Sequence, residues 1–271
     1  MKDAQLDIIG VWSELKLEII RQYAQAYSTI MAKHPLEHIY IDGFAGAGLH
    51  VSKTTGKQVE GSPAIALAVK PPFKEYHFID LDGQRADQLR ALAGKRTDVH
   101  VYADDCNYVL LHRVFPKTRY EDYRRALCLL DPYGISLDWK VVETAGKMKS
   151  VEIVLNFMVM DMNRNVLLNN PDQASDGQIA RMTRFWGNNS WRQAAYRQCP
   201  TLFGEEDEKT GNDALAREYV VRLKDAAGFR FVPDPLPLRN SRGAVVYYLF
   251  FASQNQTGAK IASAIFKKYR T

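Results

Sequence analysis

Apolar positions recur along this chain at two periods, and the alternation between them predicts its architecture. From Trp12 to Ala32, residues Leu15, Ile19, Ile20, Tyr23 and Tyr27 fall at helical spacing. HIYID, 38–42, follows as a short and continuously apolar strand. The succession then repeats. Gly61-Ser62-Pro63 opens a helix, with Ser62 as N-cap and Pro63 at the first helical position. EYHFID (75–80) is a strand, and the helix 83–94 behind it is capped by Asp82 and ends near Gly94. Strand VHVYAD (99–104) precedes helix NYVLLHRVF, strand ALCLLD (126–131) precedes helix LDWKVVETAGK, and VEIVLNF (151–157) is the fifth strand. Strands apolar on both faces that alternate with helices form a parallel sheet covered on each side. Right-handed crossovers make that sheet doubly wound.

After Phe157 the rhythm breaks. Residues 158–200 are polar, basic and helical in pattern. A helix at 212–228 resumes the succession. FRFVPDPLPL and AVVYYLFFAS, joined by Asn-Ser-Arg-Gly, are too close in sequence to be anything but antiparallel. A last helix spans 257–270. The expectation is an α/β fold: a doubly wound, mostly parallel seven-stranded sheet with a terminal antiparallel strand pair and a helical insertion after the fifth strand. Segment 1–157 holds the N-terminal helix and the ligand-binding half, 158–200 is the insertion, and 201–271 completes the same sheet.

Composition narrows the class. The chain has 271 residues, 46% hydrophobic and 25% charged, as a globular protein does. No apolar run reaches the ~18 residues of a spanning helix, so no membrane is expected. The acids of MKDAQLDIIGVWSELK stand where a signal peptide needs an apolar stretch. Cys106, Cys128 and Cys199 are odd in number, far apart and without metal-ligand spacing, which argues against a disulfide framework or zinc site and fits a reducing cytoplasm. The histidines, among them His34, His38, His50 and His77, lack ligand spacing and read as structural or surface groups, so no metal is expected. A net charge of +5 with a pI near 9.0 suits a polyanionic partner and equally a solvated basic surface.

The chemistry concentrates in YIDGFAGAG, 40–48, a strand running into a glycine-rich bend. The dinucleotide fingerprint G-x-G-x-x-G/A, started at Gly46, needs a small residue where Val51 stands. The better register is D-x-F-A-G-x-G, filled by Asp42, Phe44, Ala45, Gly46 and Gly48, with Gly43 between; it resembles motif I of S-adenosylmethionine (SAM) methyltransferases. In that reading Asp42 serves the amino end of the ligand. Asp80 ends the second strand in FIDLD, ahead of Leu81, and a carboxylate there suits a ribose diol. Asp104 and Asp105, before Cys106, suit an adenine amine. Asp131 ends the fourth strand in LLDPYG. Four acids thus close four successive strands, at the edge where open α/β sheets bind ligands.

DPYG is similar to the D-P-P-Y motif of enzymes that methylate exocyclic base amines. In that motif the aspartate and a proline carbonyl accept from the amine while the ring stacks on the base. Asp131, Pro132 and Tyr133 are accordingly the catalytic candidates, although one proline is missing and Tyr133 comes one position early. Methylation at carbon is disfavoured because it needs a cysteine nucleophile. Cys128 lies inside a strand, Cys199 lies in the insertion, and Cys106, expected to be the more exposed, has no Pro-Cys context. Lys16 reads as an exposed helix lysine, with contact to SAM or substrate as the other reading. In the insertion, Arg181, Arg184 and Arg192 are interleaved with Trp186 and Trp191, and Arg164 precedes them; arginines meet phosphates and rings stack on bases, or else the rings form a small core of their own. GEEDEKTG, 204–211, reads as a solvated loop.

Taken together, W-S-E-L-K, YIDGFAGAG, the GSP helix start, FIDLD, LLDPYG and VVYYLFFAS resemble the three-Cys-motif partner proteins, a bacterial family with a Rossmann-like methyltransferase fold. The resemblance spans Trp12 to about Ser253. It implies SAM as cofactor and methyl transfer as activity, with nucleic acid the favoured substrate and a base amine the favoured group. It also implies a possible protein partner carrying three cysteines. The alternatives are a SAM-binding adaptor subunit of that partner and a small-molecule methyltransferase.

Overall fold

The structure, a computed structural model, describes residues 7–201, 204–240 and 242–270. The first six residues, read above against a signal peptide, and Ser241 of the Asn-Ser-Arg-Gly connection lie outside the described residues. The chain runs β1 (Asp7–Ile9), α1 (Val11–Met31), β2 (Glu37–Asp42), β3 (Leu49–Ser52), β4 (Gln58–Glu60), α2 (Ser62–Ala68), β5 (Glu75–Asp80), α3 (Gly83–Ala93), β6 (Val99–Ala103), α4 (Cys106–Val109), β7 (Arg124–Leu130), α5 (Trp139–Met148) and β8 (Val151–Phe157). It continues through α6 (Val159–Asn165), α7 (Asp176–Trp186), α8 (Trp191–Ala195), β9 (Tyr196–Thr201), β10 (Gly204–Lys209), α9 (Asn212–Asp225), β11 (Leu236–Arg239), β12 (Val245–Ala252) and α10 (Gln256–Tyr269).

Seven of these strands form one sheet in the order β11-β12-β8-β7-β2-β5-β6. β6, β5, β2, β7 and β8 are mutually parallel, and β12 alone is reversed, between β8 and β11. This is the strand order of the Rossmann-like methyltransferase fold. The continuous apolar strands bury both faces, as their sequences require. Ile39, Ile41, Cys128, Ile153 and Leu155 face one core with α5, α7 and α9, while Tyr40, Phe78, Leu127, Leu129 and Val154 face the other with α1 and α10. The chain order reverses direction between β2 and β7, so the switch point lies at the carboxyl ends of those strands.

Several details differ from the sequence expectation. Between β2 and α2 the chain forms a hairpin, β3–β4, and β1 joins it by parallel pairing of Asp7 with His50. Gly61, not Ser62, is the cap residue of α2; Ser62 begins the helix, one position earlier than expected. FRFVPDPLPL yields only the four-residue β11, because Pro233 and Pro235 remove ladder donors ahead of it. GEEDEKTG is not a loop: β10 pairs antiparallel with β9, and Arg197 forms an ion pair with Glu208 at 2.7 Å across the ribbon. No helix among the described residues is long and apolar enough to cross a membrane.

Candidate active site

The glycine bend is laced between its neighbours. Gly43 N–H donates to Leu129 O and Ala45 N–H to Ile79 O, both at 2.9 Å, so the bend spans the ends of β5 and β7. Gly46 and Gly48 adopt φ of +63° and +81°, where a side chain is strained. Gly61 N–H donates to Gly48 O, and a Cβ on Gly61 would lie 3.0 Å from that carbonyl, so a glycine is needed for α2 to dock on the bend.

Asp80 organises this bend from β5. One carboxylate oxygen accepts from Gly46 N–H and the other from Asp82 N–H, each at 2.9 Å. Asp82 then caps α3 through the N–H groups of Gln84 and Arg85, as expected. Asp42 lies beneath, fully buried. Its Oδ1 accepts from Phe44 N–H at 3.3 Å, while its Oδ2 is buried without any hydrogen-bond partner. The Ser62 hydroxyl is close enough to favour the ion without closing a bond to Oδ2. Burial pushes the Asp42 carboxyl up to about 7, opposed by Ser62 and the Phe44 amide and reinforced by Asp131 and Asp80. An orphaned acceptor on a buried acid, beside a bend that only glycine can form, is a cradle for a ligand's donor group.

This has a measurable consequence. With the folded value near 7 and the unfolded one near 4, the native state holds the extra proton between those limits, so Asp42 costs stability as pH rises from about 4 to 7. Asp42→Asn keeps the Phe44 bond and removes the charge. It is expected to stabilise the ligand-free protein by about 4 kcal/mol above pH 7 and not at all below about pH 4. Urea unfolding at the two pH values measures this; an equal gain at both would contradict the buried-acid assignment.

Asp131 is engaged on both oxygens. Lys16 Nζ donates to Oδ2 at 2.5 Å and Asn156 Nδ2 to Oδ1 at 2.7 Å. Lys16 is therefore not the exposed helix lysine of the sequence reading. It is only 7% exposed, and its ammonium also lies 5.4 Å from the Tyr247 ring. The signal was present: Lys16 shares the stripe of Ile19, Ile20, Tyr23 and Tyr27, a cation on an apolar face. Asn156 was missed; it is the one uncharged polar residue of β8, one position from its end.

Pro132 is buried, whereas Tyr133 is 67% exposed. The Tyr133 hydroxyl accepts from Arg85 at 2.9 Å, and Arg85 also pairs with Asp7 at 3.1 Å. Position 134 explains the departure from a doubled proline followed by tyrosine. A Cβ there would lie 2.8 Å from Asp161 Oδ2, so a side chain at that position would have to displace the Asp161 carboxylate. Asn107 pins the rest of the loop, donating to Ser136 O and accepting from Asp138 N–H.

The remaining expected positions spread outward. Leu81 is 76% exposed beside Asp80. Asp104 pairs with Arg113 at 3.1 Å, and Asp105 caps α4 through Tyr108 N–H. Cys106 is buried, contrary to expectation, with its Sγ against Gly43; burial pushes its thiol well up. In the insertion, Arg164 is exposed on α6. Arg181 and Arg184 are exposed but face Asp161 at 3.8 Å and Asp138 at 3.3 Å. Trp186 and Trp191, expected to stack on bases, are each 1% exposed. Trp186 N–H donates to Ser190 and Trp191 N–H to Thr183, each at 3.0 Å, and Arg192 lies 4.8 Å from the Trp191 ring. The rings are part of the main core, together with Phe157, Tyr219 and Phe250, and Arg181 and Arg184 remain outside it. Among the described residues no group of His, Cys, Asp and Glu is arranged to hold a metal.

No family profile matches this sequence, and no curated protein matches it. Among solved structures, protein LPL1258 from Legionella pneumophila superposes with a TM-score of 0.51 at 11% identity, covering 96% of this chain and 92% of its own. A Listeria monocytogenes protein named as an S-adenosylmethionine-dependent methyltransferase gives 0.43 at 10% identity (86% and 99% covered), and the methyltransferase domain of bacterial CtHen1-CN gives 0.41 at 7% (87% and 99%). The Legionella protein shares the fold over nearly the whole chain; the two lower scores add nothing to what the sheet order already shows.

Proposed function

We propose that this chain is a SAM-dependent methyltransferase that acts on nucleic acid. The observation that carries the reading is Asp42 Oδ2, a buried acceptor with no partner, at the switch point of a sheet in methyltransferase order. Asp42 would receive the amino group of the ligand. Asp80 holds the bend and has lone pairs left for a ribose diol. Leu81 offers an exposed apolar face to the adenine, with Asp104 and Asp105 beyond it. Bound there, SAM supplies an electrophilic methyl group. The chain's task is then to position a nucleophile and remove water and a proton. Nucleic acid is supported by the net charge of +5 and by Arg164, Arg181 and Arg184 on the elements that follow β8.

A second reading has a specific observation behind it. Asp131 is held by Lys16 and Asn156, and Tyr133 by Arg85, so DPYG as built does not clamp an amine. Methylation of a base amine would require Lys16 to yield Asp131 to the substrate. A SAM-binding subunit that depends on a three-cysteine partner for that rearrangement is the alternative. Incubation with methyl-labelled SAM and total cellular DNA, RNA and protein, with and without such a partner, separates the two. Label in nucleic acid without a partner supports the first reading, label only with the partner supports the second, and no label in either case contradicts both.

A further inference from the structure

His50, set aside in the sequence as structural or surface, stands at the centre of this site. It lies on β3, directly opposite Asp7 of β1, and its ring leans on the glycine bend. A Cβ on Gly46 would lie 3.9 Å from its Cε1, and one on Gly61 would lie 3.0 Å from its Nε2. Its Nδ1 is buried and has no hydrogen-bond partner among the described residues. The charged groups that face it are Asp7 from β1, Lys16 from α1, Arg85 from α3 and Asp131 from the end of β7. Burial is the main influence on the imidazole and pulls it below its ordinary value; Asp7 and Asp131 oppose this, and Lys16 and Arg85 add to it. At neutral pH the ring is therefore uncharged and offers one free lone pair.

Methyl transfer to a nitrogen or oxygen leaves a proton to be removed. Asp131 is spent on Lys16 and Asn156, and Lys16 Nζ is engaged by the same carboxylate. Asp42 lies beneath the bend. Resting on the reading of this site as that of a methyltransferase, we propose that His50 is its proton acceptor. The nucleophile's lone pair forms the bond to the methyl carbon. The carbon–sulfur bond breaks and its electron pair stays on sulfur, which becomes neutral. The electrons of the N–H or O–H bond return to the nucleophile, and the proton becomes the second N–H of an imidazolium on His50. The ion pair of Lys16 and Asp131 then has a positioning role: it fixes the first turns of α1 against the site, and so the wall opposite the ring.

The test compares wild type with His50→Asn, using labelled SAM and the nucleic-acid fraction that takes up label. SAM affinity is expected to stay within about twofold, while the single-turnover rate falls by about 10²–10⁴. The acid limb of its pH profile, which His50 sets below its ordinary value near 6.5, is expected to disappear. Imidazole nitrogen spectra of the ligand-free wild type at pH 7 should show His50 neutral. A wild type that binds no SAM overturns the methyltransferase reading and this assignment with it. Undiminished turnover by the variant with the acid limb intact overturns the assignment alone, as does an imidazolium at His50 at pH 7, which needs no turnover to observe.

Discussion

Lys16→Met is expected to lower the stability of the protein by about 2–3 kcal/mol and to abolish methyl transfer. Breaking a fully buried ion pair costs about 3–5 kcal/mol, because the surviving charge is left without its partner. The figure is reduced here because the Asp131 side chain keeps 24% of its exposure, against 9% for Lys16, so water screens part of the loss. The pair also ties α1 to the end of β7, across 115 residues of chain. Adding Asp131→Asn to the variant removes the stranded charge and keeps an oxygen for Asn156 Nδ2, so most of the stability should return. Activity should not, since neither the carboxylate nor the ammonium remains. Urea midpoints of wild type, single and double variants give the result. A single variant as stable as wild type would show that Lys16 is free in solution.

Trp186→Ala is expected to cost about 3–5 kcal/mol, the range for removing a fully buried large aromatic side chain. The ring lies 5.3 Å from Tyr219 and 5.6 Å from the Arg222 guanidinium, and its N–H reaches Ser190. Tyr219 in turn packs on Phe157 and Phe250 of the main sheet, so the loss is one of core packing. Nucleic-acid affinity of the folded fraction should be unchanged. Arg164→Glu, by contrast, should leave stability within about 0.5 kcal/mol and weaken binding, with a shallower salt dependence. If the tryptophan stacked on a base, the pattern would reverse: stability kept and affinity lost.

The sheet was legible because its signals are long and redundant. Five apolar strands alternating with amphipathic helices admit few topologies, and VEIVLNF and EYHFID appear as strands at their expected bounds. The strand-end acids were legible for the same reason, since the end of each strand could be read from where its apolar run stops. Short elements were not. β1 is only three residues long and β10 is six residues almost all charged, and pairing rather than composition makes them strands. Roles that depend on partners far along the chain were also hidden. That Asp131 is occupied depends on Lys16, 115 residues earlier, and on Asn156, 25 later. The interleaved Arg and Trp residues show how one pattern serves two ends. At helical spacing Trp186 and Arg184 fall on different faces, one turned into the core and one out.

All of these proposals depend on the cradle at the switch point. Calorimetric titration with SAM of wild type, Asp42→Ala and Gly46→Val tests it most directly. The account predicts one SAM bound per chain in wild type and none measurable in either variant, with both variants folded by circular dichroism. A folded wild type that releases no heat with SAM, or an Asp42→Ala variant that binds as tightly as wild type, would contradict it.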